Sequence, residues 1–247
     1  MTIAILGATG TAGEATTAAA RRAGYDVRGL SRATGVDLHT GAGLDEGLRG
    51  IDVVIDASNP FPTADAGLDV VSAFAASTRR LAEACATAKV RHLVHLSICN
   101  IHQPAFDGFD YYLAKRAQEE VLGSTPLPHT VIRTTQWMEF ALNPAAVAVS
   151  DDEVRVQDWL VQPIAVATVA EVLVHATTDQ RDRQVAGPDI IHLPDLTRGL
   201  LTATGDPRPV VTVEPFVPEL ARGVLLAPSG AELLGPTPDE WVAGRTA

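Results

Sequence analysis

Cysteine is scarce in this chain: two residues of 247, Cys85 and Cys99. That excludes a disulfide framework, and neither residue has metal-ligand neighbours at a useful spacing, so no metal site is expected. Both lie in apolar stretches and read as buried, reduced thiols. Basic residues are also in short supply, 19 Lys plus Arg against 30 Asp plus Glu, for a net charge of −11. Such a surface repels phosphate backbones and anionic lipid, so neither nucleic acid nor a membrane is an expected partner. No apolar run reaches the roughly 18 residues of a membrane-spanning helix. The residues after Met1 enter a strand pattern without a basic leader or cleavage site, which predicts a cytoplasmic protein. Repeats and low-complexity tracts are missing too. What remains is 46% hydrophobic and 20% charged, ordinary for a globular chain with a real core.

Strand-like and helix-like segments alternate through the first half. Apolar runs at 2–6, 25–30, 51–57, 90–96 and 129–133 read as strands. Helix-favouring stretches at 11–23, 44–48, 68–88 and 112–123 separate them. The alternation predicts an α/β fold, a Rossmann-type doubly wound parallel sheet with helices on both faces. Beyond Trp137 the pattern weakens into short mixed elements at 161–166, 169–177, 190–193, 196–204 and 209–213. The expected division is a dinucleotide-binding core over 1–136 and a small C-terminal α+β substrate region over 137–247. The Gly- and Pro-rich tail from Gly230 is expected to be partly loose.

The sharpest motif is Gly7-Ala8-Thr9-Gly10-Thr11-Ala12-Gly13, which follows the first strand and opens the first helix. Gly7 permits the tight turn, Gly10 lets the backbone approach a pyrophosphate, and Gly13 lets helix and strand pack closely. The free N–H groups of the helix start would face the phosphates. A glycine triplet alone recurs by chance; the strand before it and the helix after it give this one its meaning. The second strand ends in Ser31-Arg32, where an NAD site carries an acidic residue for the ribose 2′-hydroxyl. A hydroxyl and a guanidinium suit a 2′-phosphate instead, so NADP(H) is expected over NAD(H), with Asp37 in reach of the adenine or ribose.

Those two motifs, with Asp52-Val53-Val54-Ile55, resemble the atypical short-chain dehydrogenase/reductases, and more narrowly their NmrA-like, NAD(P)H-binding branch. Tyr111 to Glu120, Thr130 to Gln136, Gln162 to Val166 and Ala186-Gly187-Pro188 are similar to a bacterial subgroup of it. The resemblance runs from residue 2 to beyond 200. It implies that Gly7, Thr9, Gly10, Thr11 and Ala12 hold the pyrophosphate, that Ser31 and Arg32 meet the adenosine end, and that Ala57, Ser58 and Asn59 line the ribose path. Ser58 and Asn59 also suit a turn before Pro60. Thr134 to Trp137 would lie near the nicotinamide. Thr168 departs from the acidic residue that related sequences often place there.

Tyr111 and Lys115 stand four apart, on one helix face. The resemblance makes this Tyr-x-x-x-Lys pair the acid/base group, with Ser97 at the end of the fourth strand on the substrate oxygen. Tyr112 is a competing phenol three residues from the lysine, and Ser97 could equally cap its strand. His102 reads as an auxiliary donor or a solvent-facing loop residue. Trp137, Met138 and Phe140 read as an apolar substrate wall or as core. The expected function is an NADPH-dependent oxidoreductase that reduces a small carbonyl, quinone or related apolar compound. The alternative is a non-catalytic NADP(H)-sensing protein, and an epimerase or dehydratase is a third reading. A small molecule is the expected partner, with a homodimer possible through exposed helices.

Overall fold

The computed structural model describes residues 1–62 and 67–245. It divides into two compact units, Met1–Arg133 with Val169–Arg183, and Thr134–Thr168 with Gln184–Ala247.

The first unit alternates β1 (Thr2–Leu6), α1 (Thr11–Arg22), β2 (Asp26–Leu30), α2 (Leu44–Gly47), β3 (Val53–Asp56), α3 (Val70–Ala88), β4 (His92–Ile98), α4 (Asp110–Gly123) and β5 (His129–Thr134). The five strands lie in the order β5-β4-β3-β1-β2. β1 runs parallel to both β2 and β3, and β3 is parallel to β4. Successive connections therefore leave β1 on opposite sides, so the order reverses between β1 and β3. Ligands of such sheets bind beyond the carboxyl ends of the strands at that switch point.

Strands covered on both faces need near-continuous apolar sequence, and Ile3 to Leu6 and Val53 to Ile55 are all buried. One face packs Leu6, Leu30, Leu44, Leu48, Leu81 and Leu93 into a shared core cluster. Each fully buried leucine there contributes about 1.5–3 kcal/mol. Asp69 caps α3 by accepting from the Ser72 N–H at 2.8 Å. The buried Gln118 amide donates to Thr78 Oγ1 at 2.9 Å, tying α4 to α3. Both cysteines are free and buried, and burial pushes the Cys85 thiol up to about 12, which leaves it unreactive.

The second unit contains β6 (Val147–Val149), β7 (Val154–Gln157) and β11 (Val210–Val213) as a three-stranded sheet, with β7 antiparallel to β6 and parallel to β11. β8 (Leu160–Val161) pairs antiparallel with β10 (Ile191–His192), and β9 (Arg183–Ala186) runs parallel to β12 (Glu232–Leu233). Two helices complete it, α6 (Leu193–Ala203) and α7 (Pro238–Ala243); α5 (Val166–Asp179) begins in this unit and continues into the first.

The tail is ordered over its described residues, to Arg245. Thr237 and Glu240 form a reciprocal capping box on α7 at 3.2 and 2.8 Å. Trp241 is buried, donates to Glu139 at 3.3 Å and is covered by the Arg245 guanidinium 3.5 Å from its ring. Glycine and proline counts misled here because Pro238 sits in the first turn of α7, where a missing N–H costs nothing. Among the described residues no helix is long and apolar enough to cross a membrane, and no group of three or more His, Cys, Asp or Glu could hold a metal ion.

Candidate functional site

The glycine loop closes tightly around the end of β1. Gly7 has φ +73°, and a side chain there would stand 2.7 Å from the Ala57 carbonyl oxygen. A Cβ at Gly13 would fall inside the Gly7 carbonyl and lie 2.9 Å from the Ala8 Cα. Both glycines are thus required by backbone approach, one to the loop after β3 and one within the loop itself. Gly10 is different: it is the N-cap of α1, it is exposed, and its nearest obstruction for a Cβ is 3.4 Å away. With glycine at the N-cap, no side chain caps α1. The first N–H groups of α1 have no intrahelical acceptors, and the helix dipole adds partial positive charge there. Thr9 and Thr11 stand exposed beside them, while Ala12 is buried. This is a cradle for an anion, and the pyrophosphate of a dinucleotide fits it.

At the end of β2, the Ser31 N–H donates to Thr34 Oγ1 at 2.8 Å and the Thr34 hydroxyl donates back to the Ser31 carbonyl at 2.9 Å. The Ser31 hydroxyl is sheltered, and no group among the described residues takes its proton. Arg32 next to it is exposed and makes no ion pair among the described residues. Asp37 accepts from the His39 N–H at 2.8 Å, so one carboxylate oxygen closes its own turn.

The carboxyl ends of β3 and β4 hold a buried polar cluster that composition and motif reading did not reveal. Asp56 accepts from the Ser58 hydroxyl at 2.5 Å, from the Ser58 N–H at 3.0 Å and from His95 Nδ1 at 3.1 Å. Asp56 and His95 are 1% and 0% exposed, and β3 and β4 align them side by side. Burial by itself would raise the Asp56 carboxyl, but the hydrogen bonds from His95 and Ser58 and the Lys115 charge outweigh it and hold it below its usual range. Burial lowers His95 below its ordinary value despite Asp56, so the imidazole is neutral at pH 7 and its Nδ1–H donates to the carboxylate. The signal in the sequence was a charged residue closing an otherwise apolar strand, Val53-Val54-Ile55-Asp56.

Lys115 enters the same region from α4. It is 4% exposed, donates to the Leu96 carbonyl at 3.1 Å and lies 6.0 Å over the Phe74 ring. Burial lowers it to about 8, while the Asp56 and Glu119 carboxylates oppose the fall. One turn further along α4, Glu119 accepts from Arg133 at 2.5 Å and from the Ser97 hydroxyl at 2.5 Å. Ser97 is buried, and its one proton is directed at Glu119.

The two tyrosines part company at the start of α4. Tyr111 stacks on Phe61 at 5.6 Å, meets Phe74 edge-on at 6.1 Å and donates to Asn59 Oδ1 at 3.4 Å. It therefore lies on the Lys115 side, with Phe74 as their shared neighbour. Burial raises its phenol above the ordinary value, so it keeps its proton throughout the neutral range. Tyr112 turns instead to the loop before the helix and stacks on Phe106 at 3.9 Å. His102 is exposed in that loop. In the second unit, Trp137 Nε1 donates to Thr134 Oγ1 at 3.0 Å and Thr135 donates to the Gln162 carbonyl at 2.6 Å. Met138 is fully buried, and Phe140 packs 5.6 Å from Trp159.

The neutral histidines set an acid limit. His95 and His92 are both held below 6.5 by burial, so the unfolded chain takes up protons there that the folded one resists. Stability falls as pH drops below about 6.5. Asp56, held below 3.8, adds a further loss only as pH approaches and passes below that value. Urea titrations at pH 7.5 and 5.5 will show a lower midpoint at 5.5, and His95→Gln will flatten the difference.

Residues 7–180 match the model of the NAD(P)H-binding family. A reductase from Streptomyces griseus, named for (4-alkanoyl-5-oxo-2,5-dihydrofuran-3-yl)methyl phosphate, is 30% identical over 208 residues, 79% of this chain and 68% of that protein. A short-chain dehydrogenase/reductase superfamily protein from Agrobacterium tumefaciens, solved with bound NAD, superposes with a TM-score of 0.71 at 17% identity, covering 99% of this chain and 97% of that one. An NADPH-dependent quinone oxidoreductase from Escherichia coli superposes at 0.66 with 16% identity and 98% coverage of both chains. With the Gly7–Gly13 loop at the β1/β3 switch point, the chain belongs to the NAD(P)H-binding family and is an NAD(P)-dependent oxidoreductase.

Proposed function

We propose that the protein is an NADPH-dependent reductase of a small, apolar, conjugated carbonyl or quinone. The observation that carries the cofactor choice is the sheltered Ser31 hydroxyl, whose proton no described residue takes, beside the exposed Arg32, a donor and a cation suited to an anion. Gly7, Thr9, Gly10, Thr11 and Ala12 would hold the pyrophosphate, Ser31 and Arg32 the 2′-phosphate, and Asp37, Ala57, Ser58 and Asn59 the adenosine and ribose hydroxyls. Ser58 already gives its proton to Asp56, so it would accept from a ribose hydroxyl. The reductase activity of the Streptomyces griseus relative on an oxo-dihydrofuran supports a carbonyl-bearing substrate.

The bound nicotinamide supplies the hydride. The chain supplies the matching proton from the Tyr111 phenol, which is protonated at neutral pH, and a buried cation from Lys115 at the nicotinamide ribose. Ser97 has no proton to spare and would meet a substrate oxygen only as an acceptor from a protonated group. Asn59 holds the Tyr111 hydroxyl in place.

The test is the ratio of NADPH to NADH affinity. Arg32→Glu will weaken NADPH by about 30- to 1000-fold, the loss of a charge-assisted contact worth roughly 2–4 kcal/mol, and leave NADH within a few-fold. Equal or tighter binding of NADH by the unaltered protein overturns the cofactor assignment. Turnover of a carbonyl and quinone panel that survives Tyr111→Phe overturns the proton donor. Tight NADPH binding without turnover of any panel member favours a sensing role.

A further inference from the structure

α4 carries two pairs of long side chains four residues apart, Tyr111 with Lys115 and Tyr112 with Arg116. They are offset by one position, and so by about 100° round the helix. The first pair faces Phe74. The second holds the loop that joins β4 to α4. The Arg116 guanidinium reaches three points of that loop, each through a different nitrogen. Nε donates to the Ile101 carbonyl at 2.5 Å, Nη2 to the Gln103 carbonyl at 3.1 Å and Nη1 to the Asp107 carboxylate at 2.7 Å. A planar fork with fixed donors suits three acceptors in fixed places, as a lysine ammonium would not. The Asp107 side chain is 63% exposed, so that ion pair adds little and the two backbone carbonyls do the holding. The loop also closes on itself, with the Gln103 N–H on the Asn100 carbonyl at 2.9 Å and the Phe106 N–H on the Gln103 carbonyl at 3.0 Å. Its Phe106 is fully buried and stacks on Tyr112 at 3.9 Å. No side chain caps α4, whose N-cap is Phe109, a residue with no side-chain acceptor. The first turn of the helix therefore takes its place from the loop.

We infer that Arg116 is a positioning residue for Tyr111. It pins the loop at Ile101 and Gln103, the pinned loop seats Tyr112 through Phe106, and the Tyr112 ring meets the Tyr111 ring edge-on at 6.1 Å. Phe61 and Phe74 border the same ring, and Asn59 receives its hydroxyl. The pair Tyr112 and Arg116 thus sets from one helix face where the neighbouring pair, Tyr111 and Lys115, presents its phenol. The consequence for turnover rests on the reading of Tyr111 as the proton donor; the placing of the ring does not.

The chain has three tyrosines, Tyr25, Tyr111 and Tyr112, so fluorotyrosine labelling of the full-length protein reads the ring directly by fluorine NMR. Tyr25→Phe, Tyr111→Phe and Tyr112→Phe assign the three resonances. Arg116→Ala will displace the Tyr111 and Tyr112 signals and leave Tyr25 unmoved. A Tyr111 signal that stays in place overturns the inference, even if Tyr112 moves. If Arg116→Ala does not fold, Arg116→Lys decides, because it keeps the charge and loses the fork; an unmoved Tyr111 signal there overturns the inference equally. Turnover separates this from the proton-donor reading. With NADPH and the best substrate of the carbonyl and quinone panel, Arg116→Ala will lower kcat about 10- to 100-fold, the effect of a displaced reacting group, and leave NADPH affinity within a few-fold. In the Tyr111→Phe background the same change will lower kcat no further, as expected of two residues that act through one group. An additive loss overturns the route through Tyr111. If Tyr111→Phe keeps turnover, or no panel member is reduced, the proton-donor reading fails and the fluorine spectra alone decide whether Arg116 places the ring.

Discussion

Gly13→Ala will abolish nucleotide binding and lower the melting temperature together, whereas Gly10→Ala will lose the nucleotide and keep the fold. At Gly13 the added methyl falls inside the Gly7 carbonyl and within 2.9 Å of the Ala8 Cα, all backbone of a loop that cannot retreat. Forcing a methyl into close-packed backbone costs about 3 kcal/mol, at the upper end for overpacking. In a chain of this length that is a fall of about 6–12 °C. At Gly10 the backbone has φ −92° and ψ 167°, which any residue adopts, and the methyl meets nothing closer than 3.4 Å. Alanine is a poorer N-cap than glycine, a cost of about 1 kcal/mol or less. Its methyl stands beside the open N–H groups of α1, so NADPH affinity will drop by at least about 10-fold with a melting shift of only a few degrees. Thermal unfolding and NADPH titration of the two variants check this. Normal binding by Gly10→Ala would mean that the phosphates do not approach the N-cap.

Arg133→Ala is expected to destabilise the fold strongly through a single charge. Arg133 pairs with Glu119 at 2.5 Å, and the Glu119 side chain is 9% exposed. Removing the guanidinium leaves a largely buried carboxylate with only the Ser97 hydroxyl as partner, which costs about 3 kcal/mol. Asp182, 3.9 Å from Arg133 and more exposed, contributes little. Replacing both members, Glu119→Leu with Arg133→Met, will recover most of the loss, because no unpaired charge remains. Chemical denaturation of the two singles and the double measures the coupling. A double variant as unstable as Arg133→Ala would show that the pair contributes through packing and not through charge.

Much of the first unit was legible before folding. The strands were expected at 2–6, 25–30, 51–57, 90–96 and 129–133, and each was found with its ends moved by at most a few residues. Buried parallel strands and Ala-rich helices leave strong local patterns. The second unit was less legible. β6, β7, β9 and β12 are two to four residues long, and β7, β9 and β12 pair with partners far away in sequence, β7 with β11 across more than fifty positions. The capping box at Thr237 was a local signal present in the sequence but obscured by the surrounding glycine and proline. Tyr111 and Tyr112 show the same limit at a site. Spacing placed both near Lys115, and only Phe61, Phe74 and Phe106 decided which phenol turned toward it.

The sequence by itself determined the anion cradle and its cofactor class. The cradle is built from backbone, and the demands of backbone geometry on Gly7 and Gly13 are local. Tertiary structure alone decided the electrostatics beside it. Asp56, His95, Lys115 and Glu119 are spread over more than sixty residues of chain, and become one cluster only when β3, β4 and α4 pack. Their charges matter because that packing removes water from around them.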